Sequence, residues 1–399
     1  MLIKNIYIEN EKKLQDIRIR EGVFKEIGSL EDEPGEEIAD FDGKLMLPPF
    51  IESHVHLDTC LTAGDPVWNM SGTLFEGIEC WSKRKEKLNR QDIRDRVGKA
   101  VEMYRDNGVQ YIRTHVDVTD PELTAMKAMT ELRDELKDTM EIQIVAFPQE
   151  GILSFPNGKE LLTEAVDMGA DAVGAIPHFE FTREYSVGSI DFAMKLAADH
   201  DKLVDVHCDE IDDEASRGLE TVAARAYEFG MFDKVTASHT TAMHSYNNAY
   251  VLRLMRLLKM SRINFVANPL VNTHLQGRAD TYPKRRGVTR VKELLEAGIN
   301  VSFGHDDIFD PWYPLGTGNL RDVVFMGLHV CQMMGYEDIL NSYKLISSNA
   351  AKTLHISDRY GIEAGKPADF IILDAVDYYD ALNRNAKVTA SFKNGVRIK

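Results

Sequence analysis

Eight short, apolar and β-rich runs recur along the middle of the chain at regular spacing. Their ends fall near residues 56, 118, 149, 177, 209, 240, 269 and 307, so the first step is 62 residues and the others lie between 28 and 38. A repeat of about 30 residues accommodates one strand, one helix and two loops. The segments RDRVGKAVEMYRDNG and SIDFAMKLAADHDK, which lie between runs, carry apolar residues at three- and four-residue intervals. The spacing predicts an α/β fold, a (β/α)8 TIM barrel over residues 46–359.

The two ends of the chain have a different pattern. Apolar and polar residues alternate in LIKNIYI, KLQDIRI and VFKEIG near the start, and ADFIILDA and KVTASFKNGVRI near the end are similarly rich in β-forming residues. The Asn-Gly pair in the last segment is typical of a hairpin turn. These segments predict a small β-sandwich domain built from residues 1–45 and 360–399.

Charge and composition exclude several classes of partner. The chain has 47 Lys and Arg against 64 Asp and Glu, a formal net charge of −17. Without a basic run, nucleic acid and anionic membranes are not expected to bind. The first residues lack the apolar core of a signal peptide, and the four cysteines form no C-x-x-C pair. We therefore expect a cytoplasmic protein without a disulfide framework.

Most of the predicted barrel strands end in polar or ionisable residues. In a TIM barrel these ends meet on one face, where such enzymes place their active sites. Chance would rarely place polar groups at the same end of so many strands, so the set predicts an active site. Its members are His54, His56, His115, Asp117, Gln149, His178, His207, Asp209, Glu210, His239, Asn268, Asp306 and Asp307.

The His54-Val55-His56 pair indicates a metal site. Residues i and i+2 of a strand project to the same side, so both imidazoles can face the barrel axis. Together with His207, His239 and Asp306 they form a nitrogen-rich set with one carboxylate. Such a set suits Zn(II) or Fe(II) and disfavours Mg(II) and Ca(II), which prefer oxygen.

The long first step of the repeat contains residues 62–81, a segment of 20 residues rich in Gly, Trp and Phe. We interpret it as a loop, and long loops inside compact domains are usually functional. Its glycines and aromatic residues predict a lid that closes over the substrate.

Several longer strings resemble one enzyme family. LPPFIESHVHLDT, IVAFPQEGILS, IPHFEFTREY, VDVHCDEIDDE, TASHTTAMHSY, NPLVNTHLQGR and FGHDDIFDPWYPLGTGN are similar to segments of the bacterial cytosine deaminases of the amidohydrolase superfamily. The resemblance covers roughly residues 45–350. It implies a TIM barrel enzyme that deaminates cytosine to uracil and ammonia, and it suggests a homo-oligomer.

The resemblance also implies a role for each site residue. The metal ligands would be His54, His56, His207 and Asp306, and a single Fe(II) or Zn(II) is expected because strand four ends AIPHFE, without the Lys that two-metal relatives carboxylate. Glu210 would be the proton shuttle, His239 would hydrogen-bond the attacking water, and Asp306 would accept a proton from it. The substrate contacts would be Gln149, His239, Asp307 and Trp312.

Three other functions remain open at this stage. The first is deamination of isoguanine or another aminated pyrimidine or purine ring, because Cys60 and Leu61 stand where more polar residues are expected. The second is ring-amide hydrolysis of the dihydropyrimidinase type, which the absent strand-four Lys disfavours. The third is an inactive barrel that only binds a ligand, which would require the loss of a metal ligand or of Glu210.

Overall fold

Two sheets contain the strands of the protein. The structure is a computed structural model that describes residues 1–9 and 11–399. The strands are β1 (Leu2–Ile8), β2 (Lys13–Arg20), β3 (Val23–Gly28), β4 (Ile38–Asp40), β5 (Leu45–Leu47), β6 (Phe50–Val55), β7 (Val109–Asp117), β8 (Glu141–Phe147), β9 (Ala172–Ala175), β10 (Leu203–Cys208), β11 (Val235–His239), β12 (Asn264–Ala267), β13 (Val301–Phe303), β14 (Phe370–Leu373), β15 (Val388–Lys393) and β16 (Val396–Arg397).

Strands β6 to β13 form the barrel. Each pairs in parallel with the next strand along the chain, from β6 through to β13. The ring closes beyond β13, where the amide of Asp306 donates to the carbonyl of His54 over 2.8 Å and the amide of His56 donates to the carbonyl of Asp306 over 2.9 Å. The predicted (β/α)8 barrel is confirmed.

Helices cover the outside of the barrel and follow the predicted periodicity. In the helix over Arg90–Asp106, the buried residues Ile93, Val97, Ala100 and Tyr104 recur every three or four positions, and the Asn89 side chain caps the first turn. No helix within the described residues combines the length and hydropathy needed to cross a membrane. The helices are α1 (Leu74–Lys85), α2 (Arg90–Asp106), α3 (Thr124–Leu136), α4 (Gly158–Asp167), α5 (Arg183–Asp199), α6 (Gly218–Glu228), α7 (Asn248–Ser261), α8 (Pro269–Leu275), α9 (Val291–Glu296), α10 (Leu320–Val330), α11 (Tyr336–Asn341), α12 (Ser348–Thr353) and α13 (Tyr378–Asn383).

The interpretation of residues 62–81 as a loop is wrong for the last eight of these residues, because α1 begins at Leu74. Thr73 caps this helix by accepting a hydrogen bond from the amide of Glu76 over 3.3 Å. The Glu76 carboxylate in turn accepts from the amides of Met70 and Ser71. The Thr-x-x-Glu spacing of a capping box was present in the sequence and could have located the helix.

Strands from both chain ends form the second sheet, in the order β16-β15-β14-β5-β1-β2-β3, with β4 paired to β1. Four strand spacings separate β3 from β14, which is about 19 Å in a flat sheet. The rings of Phe24 on β3 and Phe370 on β14 nevertheless lie 6.0 Å apart, and the amide of Phe24 donates to the carbonyl of Lys366. The sheet therefore folds back on itself around a core of its own, as a sandwich does. The domain boundaries at 45/46 and 359/360 stay predictions. Strand β5, which crosses the first of them, pairs with β1 and β14 of this sheet.

We predict that Phe370→Ala destabilises the protein by about 3 to 5 kcal/mol, because the fully buried ring joins the two halves of the terminal sheet. Phe325→Ala is the matched control, since that ring is about half exposed on α10. Urea unfolding of both variants checks the prediction. Equal losses in the two variants would contradict it.

Candidate active site

Five of the predicted residues converge at one end of the barrel. His54 lies on β6, His56 follows it, His207 and His239 lie at the ends of β10 and β11, and Asp306 follows β13. All five side chains are buried. Parallel strands in a closed barrel bring their carboxyl ends to one face, which explains how residues 252 positions apart come into contact.

The atoms of this cluster are close enough to share one cation. His56 Nε2 lies 3.0 Å from His207 Nε2 and 3.6 Å from an Asp306 carboxylate oxygen, and His54 Nε2 lies 3.3 Å from that oxygen. One atom from each of His54, His207, His239 and Asp306 also falls within 4.8 Å of the others. His239 thus also lies beside the cluster, and the assignment of the ligands stays a prediction.

The chemistry of the donors fits a divalent metal ion. Burial lowers the pKa of His54, His56 and His207 well below the usual imidazole value, so their rings are neutral and can offer lone pairs. His54 Nε2 is buried without a hydrogen-bond partner. Three imidazoles and one carboxylate are a ligand set that Zn(II) and Fe(II) accept.

Glu210 lies over this cluster rather than in solvent. Its Oε1 is 3.3 Å from His239 Nδ1, which is 3.8 Å from Asp306 Oδ2. The preceding residue, Asp209, has φ +50° and caps α6 through the amides of Gly218 and Leu219. This turn after β10 directs Glu210 back to the barrel mouth, where burial raises the pKa of its carboxyl to about 8.

His239 and Asp306 reach the cluster through unusual backbone conformations. Successive residues of a strand point to opposite faces, and Ser238 already points into the barrel, where it contacts His54. His239 has φ +65° and Asp306 has φ +71°, in the left-handed region that residues other than glycine seldom adopt. These conformations turn both side chains inward, and such outliers are concentrated at functional sites.

A small, partly open cavity of about 20 Å³ adjoins the cluster. The predicted substrate contacts Gln149, Asp307 and Trp312 all line it. Apolar residues complete its wall. The lining is His56, Leu74, Gln149, Ile176, His207, Glu210, His239, Leu275, Asp306, Asp307 and Trp312.

The segment that leads into α1 packs against the cavity. Trp312 Nε1 donates to the carbonyl of Leu74 over 3.2 Å, and Arg278 donates to the carbonyl of Ser71 over 3.0 Å. The chain passes Trp312 at Gly77, where a Cβ atom would lie 2.4 Å from the indole. Leu74 thus forms part of the cavity wall, and the closing of residues 62–81 over a substrate stays a prediction.

Sequence reasoning assigned no role to several residues that support the site. The ring of His115 lies 3.9 Å from that of His54, and Asn272 contacts His239 Nδ1 over 3.0 Å. Ser238 contacts His54 Nδ1 over 2.9 Å and donates to Asp205 over 2.6 Å. The two-residue period that places His207 inside the barrel also places Asp205 there, and this signal could have identified it.

Comparison with known proteins identifies the family. Residues 37–398 match the amidohydrolase family. The chain belongs to this family. It is 31% identical over 402 residues to N-isopropylammelide isopropyl amidohydrolase of Pseudomonas sp. strain ADP, with 99% of this chain and 96% of that protein covered.

Solved structures include two that are much more similar. They are crystal structures of 5-methylcytosine deaminase from Klebsiella pneumoniae, liganded with 5-fluorocytosine or with phosphonocytosine. Each is 50% identical to this chain with a TM-score of 0.97, covering all of this chain and 97% or 98% of the other. Family and neighbours support a hydrolase that acts on C–N bonds.

We predict that Gly77→Ala lowers the free energy of unfolding by about 1 to 3 kcal/mol, because the new methyl group must displace Trp312 or α1. Gly98→Ala in α2 is the control, since a Cβ there meets no atom within 4 Å. Alanine is a better helix former than glycine, so the free energy of unfolding of this control should rise by up to about 1 kcal/mol. Urea unfolding measures the stability of both variants. A higher free energy of unfolding in Gly77→Ala than in wild type would contradict the close packing at Trp312.

Proposed function

We propose that this protein hydrolyses the exocyclic amino group of a cytosine-type ring, giving the corresponding uracil and ammonia. The observation that carries the proposal is the small cavity at the barrel mouth, whose wall places Gln149 and Glu210 beside a His and Asp cluster that fits a metal ion. The cavity therefore brings groups that can bind a polar ring next to groups that can transfer protons to that ring.

The choice of ring is supported by the comparison at 50% identity. The Klebsiella pneumoniae enzyme is named for 5-methylcytosine and was crystallised with two cytosine analogues. We extend this to the present chain as cytosine and its 5-substituted forms. The dihydropyrimidinase alternative is not favoured, because the segment from β9 to Glu180 contains no Lys that could be carboxylated.

In the proposed site, His54, His56, His207 and Asp306 hold one divalent ion, Zn(II) or Fe(II). When bound, such an ion lowers the pKa of water from 15.7 to about 7 and makes a hydroxide nucleophile accessible at neutral pH. The four side chains are buried, so bulk water is kept away from the reacting atoms.

Ring binding is assigned to three residues of the cavity wall. The side-chain amide of Gln149 has a donor and an acceptor, which pair with the ring carbonyl and ring N–H. Trp312 provides a flat apolar wall, fixed by its bond to the Leu74 carbonyl. The Asp307 carboxylate accepts a hydrogen bond from the amino group that leaves.

Proton transfer is assigned to Glu210, Asp306 and His239. The oxygen of water bonds to C4 of the ring, its protons pass to Asp306 and Glu210, and His239 orients the oxygen. Glu210 delivers one proton to N3, and the departing nitrogen takes another as the C4–N bond breaks. A carboxyl with a pKa near 8 can hold and release a proton at neutral pH.

Ammonia release tests the proposed function. Purified protein with defined zinc or iron content is assayed with cytosine, 5-methylcytosine, isoguanine and dihydrouracil. We expect turnover of the two cytosines, its loss after chelation and its return with one equivalent of metal. Preference for isoguanine, hydrolysis of dihydrouracil or a need for two tightly held ions per chain would each contradict the proposal.

Glu210→Gln should lower kcat by about 10² to 10⁴, because the amide keeps the volume but cannot transfer the proton. Metal content should stay unchanged. Glu214→Gln is the matched control, an exposed acid four residues further along the same acidic stretch, and should change kcat by less than about threefold. A Glu210→Gln variant that keeps a tenth or more of kcat would assign the transfer to Asp306 or His239.

A further inference from the structure

A chain of polar groups crosses the barrel interior below the cluster. It begins at Arg113 on β7, continues through Asp205 on β10 and Ser238 on β11, and ends at His54 on β6. None of the four side chains reaches solvent. Buried polar groups are costly unless they are hydrogen-bonded, so each contact in this chain of polar groups must join a donor to an acceptor.

The donor and acceptor at each step follow from the chemistry of the groups. Arg113 only donates, and its Nη1 lies 2.9 Å from Asp205 Oδ2. The Asp205 carboxylate, paired with this cation, only accepts, so the single hydroxyl proton of Ser238 points to Asp205 Oδ1 over 2.6 Å. The Ser238 oxygen is then an acceptor for the remaining contact, His54 Nδ1 at 2.9 Å.

We infer that Ser238 and Asp205 are positioning residues that hold the proton of His54 on Nδ1 and so keep Nε2 free as a metal ligand. The inference rests on the proposed metal site. With Nδ1 protonated, Nε2 presents a lone pair 3.3 Å from an Asp306 carboxylate oxygen. Two acceptors that face each other at this distance repel, and a cation between them converts the repulsion into two attractive contacts.

This chain of polar groups also fixes the orientation of the His54 ring. Metal-binding histidines are commonly held through the second ring nitrogen, and loss of that partner lowers metal affinity about 10- to 100-fold. Without the Ser238 oxygen, the imidazole can carry its proton on Nε2, which removes the lone pair from the metal side. Arg113 also donates to Gln143 on β8, to Thr236 on β11 and to the carbonyl of Thr353 on α12, so two further elements, β8 and α12, anchor this end of the chain of polar groups.

Zinc affinity of the full-length protein tests the inference. After chelator treatment, Zn²⁺ alone is titrated in competition with a chromophoric chelator. Ser238→Ala should bind zinc about 10- to 100-fold more weakly, and Ser238→Thr, which keeps the hydroxyl, should stay within about threefold of wild type. Ser302→Ala on β13 is the matched control, a buried serine whose hydroxyl bonds to the carbonyl of Phe265, and it should also stay within threefold.

Unchanged zinc affinity in Ser238→Ala would overturn the inference and leave the proposed function intact. Failure of the wild-type protein to bind zinc or iron would instead contradict the proposed metal site. If Ser238→Ala does not fold, nitrogen-15 NMR of zinc-loaded wild-type protein decides the question through the His54 ring. A proton on Nδ1 supports the inference, and a proton on Nε2 overturns it.

Discussion

Two backbone hydrogen bonds between β6 and the segment after β13 close the barrel, and they involve the residues of the site. The amides and carbonyls that join the first strand to the last belong to His54, His56 and Asp306. Closure of the barrel therefore brings the backbone of Asp306 beside His54 and His56, and the positive φ of Asp306 turns its carboxylate towards the two imidazoles. The distances between Asp306 and these imidazoles depend on both the register and this conformation.

Much of the architecture could be predicted because it depends on local periodicity. The spacing of the eight runs depends on the length of a strand, a helix and two loops, and the polar residue at each strand end marks the face of the barrel. His54, His56 and His207 could be placed near one another on these grounds alone. Their roles came from resemblance to a family, since spacing does not separate a ligand from a neighbouring base.

The rest depended on interactions that sequence patterns do not encode. The inward turn of His239 and Asp306 requires positive φ values, which the alternation of a strand does not predict. The start of α1 at Leu74 depends on the cap formed by Thr73 and Glu76, which the high glycine and aromatic content of residues 62–81 does not indicate. Asp205 and Ser238 are ordinary strand residues in the sequence, and only the tertiary structure shows that they connect Arg113 to His54.

The terminal sheet also constrains how the chain is made on the ribosome. Strand β5 must wait for β14, its partner 323 residues later in the chain, counted from Leu47 to Phe370. At about 5 to 20 residues per second, synthesis of that stretch takes roughly 15 to 65 seconds. During this interval the nascent polypeptide carries an unpaired strand edge next to a barrel that is still growing, and this edge is a natural point for chaperone protection. The side chain of Gln110 on β7, which donates to Ser391 and to the carbonyl of Phe392, acquires its partners only when translation is almost complete.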